Sequence, residues 1–408
     1  MRVLVQKYGG TSLQSAESIS RVTSHIKKAM EKSYKLIVVV SAMGRMPDPY
    51  ATDTLLGLID RTVPLHSNRE TDLLVSCGET IASVVLSNQL QKNGVLSVAL
   101  TGAQAGITTT SEFTQAKIRS INTARIRKEM EKYDVVVVAG FQGQSLTGEV
   151  TTIGRGGSDT TAAALGVALD AEKIEIFTDV NGIMTADPRI VKTARKLKSV
   201  TYMEICNLAY QGAKVIHPRA VELVMQANIP LHIRSTYTND EGTIVTNESI
   251  KDIPDQLITG IAHMSCLTQI KIKNREEMHR LHSEVFKVLA DEGISVDFIN
   301  ISPTGLLFTI PNIYTKTAIE QINNLGFHPH VVENCAKVSV VGGGMNGVPG
   351  IASKIVQALT NEGIQILQSA DSYTTIWVLI HDKDVERAVN ALHDSFQLST
   401  LIESVKKV

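Results

Sequence analysis

Five short, predominantly apolar runs alternate with longer amphipathic stretches in the first half of the chain, and this rhythm limits the fold more than any other feature. Val3–Gln6, Leu36–Ser41, Ser97–Leu100, Val135–Ala139 and Ile174–Thr178 lack the in-out alternation of a half-exposed strand and read as strands covered on both faces. Between them, Ala16–Lys32, Asp72–Gln91, Thr123–Tyr133 and Asp159–Leu169 read as helices. Such alternation predicts an α/β domain of three layers, a mainly parallel sheet with helices on both faces. Ligands bind such sheets beyond the carboxyl ends of the strands.

At 408 residues the chain exceeds one ordinary core, so two or three domains are expected. Around Asn239–Asp255 the sequence turns polar and rich in turn formers, which places a boundary there. Beyond it the chain repeats itself. Val285–Ile294 aligns without gaps on Ile355–Ile364, so Gly293 and Gly363 hold matching places 70 residues apart. Each copy has a strand before this helix (Thr268–Lys273; Lys337–Val341) and one after it (Ser295–Asn300; Gln365–Ser369). A third strand (Leu306–Ile310; Thr375–Ile380) and a second helix (Thr317–Leu325; Asp384–Phe396) follow. With a closing strand that order is βαββαβ, a ferredoxin-like module, here twice in tandem.

The composition excludes several classes of function. Apolar residues make up 43% and charged ones 20%, as in ordinary globular proteins, and a formal net charge of -1 comes without any basic block. With one Trp and few aromatics, this argues against nucleic acid or an anionic membrane as partner. Cys77, Cys206, Cys266 and Cys335 are scattered without a CxxC pair and read as isolated thiols. His217 and His232 have no metal-ligand spacing and read as structural, so no protein-built metal cluster is expected. The first residues, from Met1, enter a strand directly with no signal-peptide layout, and no apolar run approaches the ~20 residues that span a bilayer. A cytoplasmic location is expected.

Two glycine-bearing stretches carry the chemistry. One is Lys7-Tyr8-Gly9-Gly10-Thr11-Ser12; the other is Gly154-Arg155-Gly156-Gly157-Ser158-Asp159-Thr160-Thr161, which leads into an alanine-rich helix. Glycines admit close backbone approach, and free N–H groups at a helix start attract anions. With a lysine in one and an arginine, a serine and an aspartate in the other, the pair points to phosphoryl transfer onto a small charged acceptor. A Walker A sequence and the H-R-D and D-F-G motifs of protein kinases are absent.

A third stretch, Gly342-Gly343-Gly344-Met345-Asn346-Gly347, matches the dinucleotide pattern G-x-G-x-x-G, with Asp371 near the place of a ribose-binding acid. After Asp371, however, the chain returns at once to Thr375–Ile380, a hairpin rather than a second crossover. The first module has the same element order without these glycines, so the match reads as incidental.

Taken in order, Lys7–Ser12, Ser41-Ala42-Met43-Gly44, Gly78-Glu79, Ala139–Gly143, Gly154–Thr161, Thr178–Gly182, Thr185–Arg189 and Gly212-Ala213-Lys214 resemble the signature set of the aspartate kinases. The likeness runs from Arg2 to the last helix and is greatest to the monofunctional Bacillus-type enzymes of the diaminopimelate-sensitive kind. It implies an amino-acid kinase domain over residues 1–250 and two ACT domains over residues 258–333 and 335–408. It also implies transfer of the ATP γ-phosphoryl group, with Mg2+, to the side-chain carboxylate of L-aspartate.

The resemblance further implies roles for single residues. Lys7 and Lys214 would contact the phosphates, with Tyr8, Gly9 and Gly10 lining their loop. Asp159 would fix these cations or the magnesium; its position equally suits the N-cap of the following helix, and both roles can hold at once. Arg155, Gly156, Gly157, Ser158, Ser41 and Thr52 would hold aspartate's carboxylates, and Glu79 its ammonium. Thr178, Asp179, Met184, Thr185, Ala186, Asp187, Pro188 and Arg189 would lie on the nucleotide side.

In the regulatory half, Asp297, Pro349 and Gly350 would meet an amino-acid effector: lysine, threonine or, by overall likeness, meso-diaminopimelate. The first module departs from the family, with Asn274–Met278 where Pro-Gly usually opens the helix. Exposed sheet edges in such modules make a homodimer or larger homo-oligomer the expectation.

Overall fold

The computed structural model describes residues 2–60, 63, 67–213, 215–247, 257–273, 278–345 and 347–400. The chain divides into two compact units. The first comprises Met1–Ile183, Lys196–Ala209 and Lys214–Asp252; the second comprises Met184–Arg195, Tyr210–Ala213 and Ile253–Val408.

The elements of the first unit run β1 (Arg2–Tyr8), α1 (Ala16–Glu31), β2 (Tyr34–Val40), α2 (Thr52–Leu56), α3 (Asn68–Lys92), β3 (Ser97–Leu100), β4 (Ile107–Thr109) and β5 (Ile118–Ile121). They continue with α4 (Ala124–Lys132), β6 (Val135–Ala139), β7 (Gln142–Ser145), β8 (Val150–Thr152), α5 (Gly157–Ala168) and β9 (Lys173–Thr178). The last are β10 (Ser199–Val200), α6 (Tyr202–Tyr210), α7 (Pro218–Ala227), β11 (Leu231–Ser235) and β12 (Thr243–Val245).

An eight-stranded sheet is ordered β10-β12-β11-β9-β1-β2-β6-β3 and is parallel except between β11 and β12. The apolar runs form its centre, with β6 buried at every position. α1 starts at a capping box in which Ser15 and Ser18 satisfy each other's backbone N–H groups. From there it lays Val22, Ile26 and Ala29 on Leu4, Leu36 and Val38. Full burial of each large apolar side chain contributes roughly 1.5–3 kcal/mol.

A second sheet of four strands, β5-β4-β7-β8, goes beyond the sequence reading. Asp72 of α3 is tied to it. Its buried carboxylate accepts from the Thr152 amide at 2.8 Å, the Thr152 hydroxyl at 2.6 Å and the Thr114 amide at 3.0 Å. Among the described residues α3 has the length and composition to cross a bilayer, a signal missed in the linear reading. Half of it is buried in the fold, as befits a core helix.

The second unit continues with β13 (Gly260–Lys273), α8 (Met278–Asp291), β14 (Asp297–Ser302), β15 (Gly305–Pro311), α9 (Thr315–Asn324), β16 (His330–Val341), α10 (Ile351–Asn361), β17 (Gln368–Asp371), β18 (Thr375–His381) and α11 (Val385–Ser395). Its strands form one sheet ordered β14-β15-β13-β16-β18-β17. Both modules are present, but they interleave. The later half of β13 pairs with β15, whereas Gly260–Met264 pair with Lys337–Val341 of β16. The fourth strand of the second module therefore precedes the first module in sequence, and the first module is inserted within the second. β17 and β18 form the antiparallel hairpin expected after Asp371, which removes the crossover a dinucleotide site needs.

Met184–Arg195 belongs to this second unit. Ala186 and Val191 join its core, the Thr185 hydroxyl bonds His393 Nε2 at 2.9 Å, and the Asn390 side chain donates to the Ile190 carbonyl.

Candidate active site

A cavity of about 260 Å³ opens at the carboxyl ends of the central strands β1, β2 and β9. Lys7, Gly9, Gly10, Ser41, Arg45, Asp159, Thr178 and Asp179 are among its lining residues. Its floor is built close. The Gly44 amide donates to the Gly10 carbonyl at 3.0 Å, and a Cβ at Gly10 would fall 2.6 Å from the carbonyl oxygens of Ala42 and Gly44. Only glycine lets these two loops touch backbone to backbone.

Lys7 and Asp159 meet across the cavity at 2.8 Å, both largely buried. Asp159 is the third residue of α5. The helix is capped by Gly156, whose left-handed φ of +69° and contact with the His217 ring suit only glycine. Gly156, not Asp159, holds the N-cap position, and Asp159 faces Lys7 from the first turn. Its negative charge in the first turn also suits the helix dipole. Its other oxygen accepts from the His217 amide at 3.4 Å. Gly157 and Ser158 are buried in that first turn, and Arg155 is exposed just before it.

Glu79, in mid-α3, is 2% exposed. Its Oε1 accepts from the Ala42 amide at 3.0 Å, next to Ser41, while Oε2 has no hydrogen-bond partner among the described residues. Burial pushes this carboxyl up to about 8, against a smaller downward pull from the Ala42 bond. Burial thus favours the neutral form of this carboxyl.

Other sequence candidates fall elsewhere. Tyr8 does not line the cavity; it is fully buried, stacks on Phe177 and donates to Gln6. Thr52 opens the short helix α2. Met184–Arg189 lie in the second unit, where Arg189 holds Asp187. Lys214 lies outside the described residues. Asp297, 58% exposed, is held by Lys337, itself only 5% exposed. Gly350 caps α10 after the exposed Pro349 and borders a groove that also includes Lys354 and Gln357. Sequence reasoning did not assign Arg45, whose Nη2 lies 3.1 Å from Asp179 Oδ2. It also missed Glu175, buried under the floor among Gln6, Lys173 and Arg234. Neither partnership leaves a local trace in the sequence.

Comparison with known proteins agrees with this architecture. Residues 2–235 match the amino acid kinase family, and residues 330–394 match the ACT domain. Aspartokinase 1 of Bacillus subtilis (strain 168) is 55% identical over 98% of this chain and 100% of its own length. An aspartokinase of Geobacillus stearothermophilus is 40% identical over the full length of both. The crystal structure of Escherichia coli aspartokinase III in complex with aspartate and ADP shares the fold, with a TM-score of 0.81 at 24% identity over 97% of this chain and 99% of the other. With full-length identity at this level joined to an amino acid kinase match over residues 2–235 and an ACT match over residues 330–394, the chain belongs to the aspartokinase family.

Proposed function

We propose that the chain transfers the γ-phosphoryl group of ATP to the β-carboxylate of L-aspartate, giving ADP and 4-phospho-L-aspartate. The observation that carries this reading is the cavity that joins Lys7, Gly9 and Gly10 of the first glycine-bearing stretch to Asp159 of the second at the carboxyl end of the sheet. The acceptor carboxylate, with a reference pKa near 3.9, is already ionised at neutral pH, so no base is required. Its oxygen forms a bond to the γ-phosphorus as the bond to the β–γ bridging oxygen breaks, and ADP leaves with that electron pair. The obstacle is the approach of two anions, which oriented cations and donors overcome.

In this reading Lys7 meets the transferring group together with the amides of Gly9 and Gly10, and Asp159 orients Lys7. Lys214 is assigned a second phosphate contact by the family resemblance alone. Ser41, Thr52, Arg155 and the Gly156–Ser158 turn receive the substrate's carboxylates, and Glu79 its ammonium. Thr178, Asp179 and Met184–Arg189 are assigned to the nucleotide. Asp159 and Asp179 both line the cavity and suit Mg2+, which keeps few protein ligands and draws the rest from phosphates and water. Among the described residues no group of three or more metal-ligating side chains gathers. Bound at the two aspartates, Mg2+ would neutralise phosphate charge.

The ACT modules are assigned an amino-acid effector, with Asp297, Pro349 and Gly350 as contacts, and a homodimer or larger homo-oligomer is expected through them. The test is a coupled ADP-release assay with aspartate, ATP and magnesium, run alone and with lysine, threonine or meso-diaminopimelate added singly. Aspartate-dependent turnover suppressed by one of them is the expected result. No ADP release with aspartate overturns the proposal.

A further inference from the structure

Four charged side chains line the cavity among the described residues: Lys7 and Arg45, Asp159 and Asp179. Their charges cancel, yet an ATP molecule brings three to four negative charges. Lys7 is already committed to Asp159 in a largely buried pair. Among the described residues the Arg45 side chain is committed only to Asp179, and that pair is open to water, with the side chains 72% and 43% exposed. An ion pair so exposed is weakly held. A phosphate offers the guanidinium two parallel, charge-assisted hydrogen bonds, a stronger partner than a solvated carboxylate.

The backbone around Arg45 is held by hydrogen bonds, while its side chain is largely exposed. Its amide donates to Asp48 Oδ2 at 3.1 Å, its carbonyl accepts from the Asp48 amide at 2.7 Å, and the preceding Gly44 is bonded to Gly10 of the glycine loop. The guanidinium is thus carried on a rigid turn beside the loop assigned to phosphate, with one weak tether.

We infer that Arg45 is a phosphate-binding residue of this site, paired with Asp179 in this structure and passing from it to the phosphates of a bound nucleotide. The exchange frees a cation among the described lining residues, beside the loop assigned to phosphate, and it releases Asp179 at the same moment. This inference rests on the reading of the cavity as a nucleotide site.

The test is equilibrium titration of the full chain with ATP, ADP and adenosine, for the wild type, Arg45→Ala and Arg45→Lys. Thermal melts check that the variants are folded. Arg45→Ala is expected to weaken ATP by about 10- to 100-fold, the range for a lost hydrogen bond to a charged group, with adenosine unchanged. Arg45→Lys, which keeps the charge but not the fork, is expected to fall between the two. ATP affinity equal to wild type in Arg45→Ala overturns the inference. So does a parallel loss of ATP and adenosine, because Arg45 would then act only by placing Asp179. A wild-type chain that binds neither ATP nor ADP overturns the nucleotide reading itself, a different result from either.

Discussion

If Glu79 receives the substrate's ammonium, as proposed, it couples substrate binding to a proton. Its carboxyl is 2% exposed, has one unpartnered oxygen and is raised from 4.5 to about 8 by burial. With the folded value above the unfolded one, its contribution to stability is fully present below pH 4.5 and is lost progressively as pH rises to about 8. The loss amounts to roughly 3 kcal/mol at pH 7 and approaches about 5 kcal/mol above pH 8. Glu79→Gln keeps the shape and cannot ionise. The variant is therefore expected to gain stability over wild type as pH rises from 5 to 8, which denaturant titrations at several pH values will read.

The same carboxyl sets the pH dependence of aspartate binding if it receives the ammonium. At pH 7 a group titrating near 8 is about 90% protonated, so binding that ionises it releases about 0.9 proton, falling to about 0.1 at pH 9. The dissociation constant for aspartate should fall by about 50-fold between pH 6 and pH 8, a range over which aspartate's own charges barely change. Calorimetry in buffers of different ionisation enthalpy counts the protons directly. A count near zero at pH 7 in the wild type refutes the reasoning, whatever the variant does. A count near one that disappears in Glu79→Gln, together with weakened binding, is the expected outcome.

Three further outcomes follow from the geometry. Lys7→Met removes the cation beside Asp159 and is expected to lower kcat by about 10²- to 10³-fold, the scale for one oriented donor, with a smaller change in KM for aspartate; steady-state kinetics check this. Gly156→Ala forces a side chain into a left-handed turn where its Cβ would lie 2.3 Å from the His217 ring. It is expected to cost roughly 1–3 kcal/mol or more in chemical denaturation and to disturb the first turn of α5, with loss of turnover. Lys337→Gln removes the internal cation that holds Asp297, so if Asp297 receives an effector's ammonium, inhibition by that effector should tighten severalfold in a dose–response assay.

How much of the fold could be read in advance depended on how local its cause is. Ser97–Leu100 and Val135–Ala139 coincide with the observed strands, each a short run of strand formers closed soon after by a glycine, Gly102 and Gly140. α1 begins where the Ser15–Ser18 box begins, a signal four residues long. The four-stranded second sheet escaped because strands such as Ile118–Ile121 are short and half-exposed, without a decisive period. In β13 the alternating half, Thr268–Lys273, was legible. Gly260–Met264 were not, since their partner is the far end of another module and pairing over such separation has no local signature.

The site divides along the same line. Lys7, the glycine loops and Asp159 could be named from residue type and spacing, because anion binding by backbone amides demands glycine and a helix start. What those residues do to one another could not. Whether Asp159 caps α5 or faces Lys7 is a question of side-chain direction, and only the structure answers it, with Gly156 as the cap. Glu79 was legible as an acid, but its free oxygen and its neutrality come from burial that no neighbour in sequence supplies. Arg45 and Asp179 stand 134 positions apart and meet because β2 and β9 both end at the cavity, each paired directly with β1. Motifs therefore name the groups proposed to touch a ligand, whereas pairings between distant strand ends decide which of those groups are held by one another before any ligand arrives.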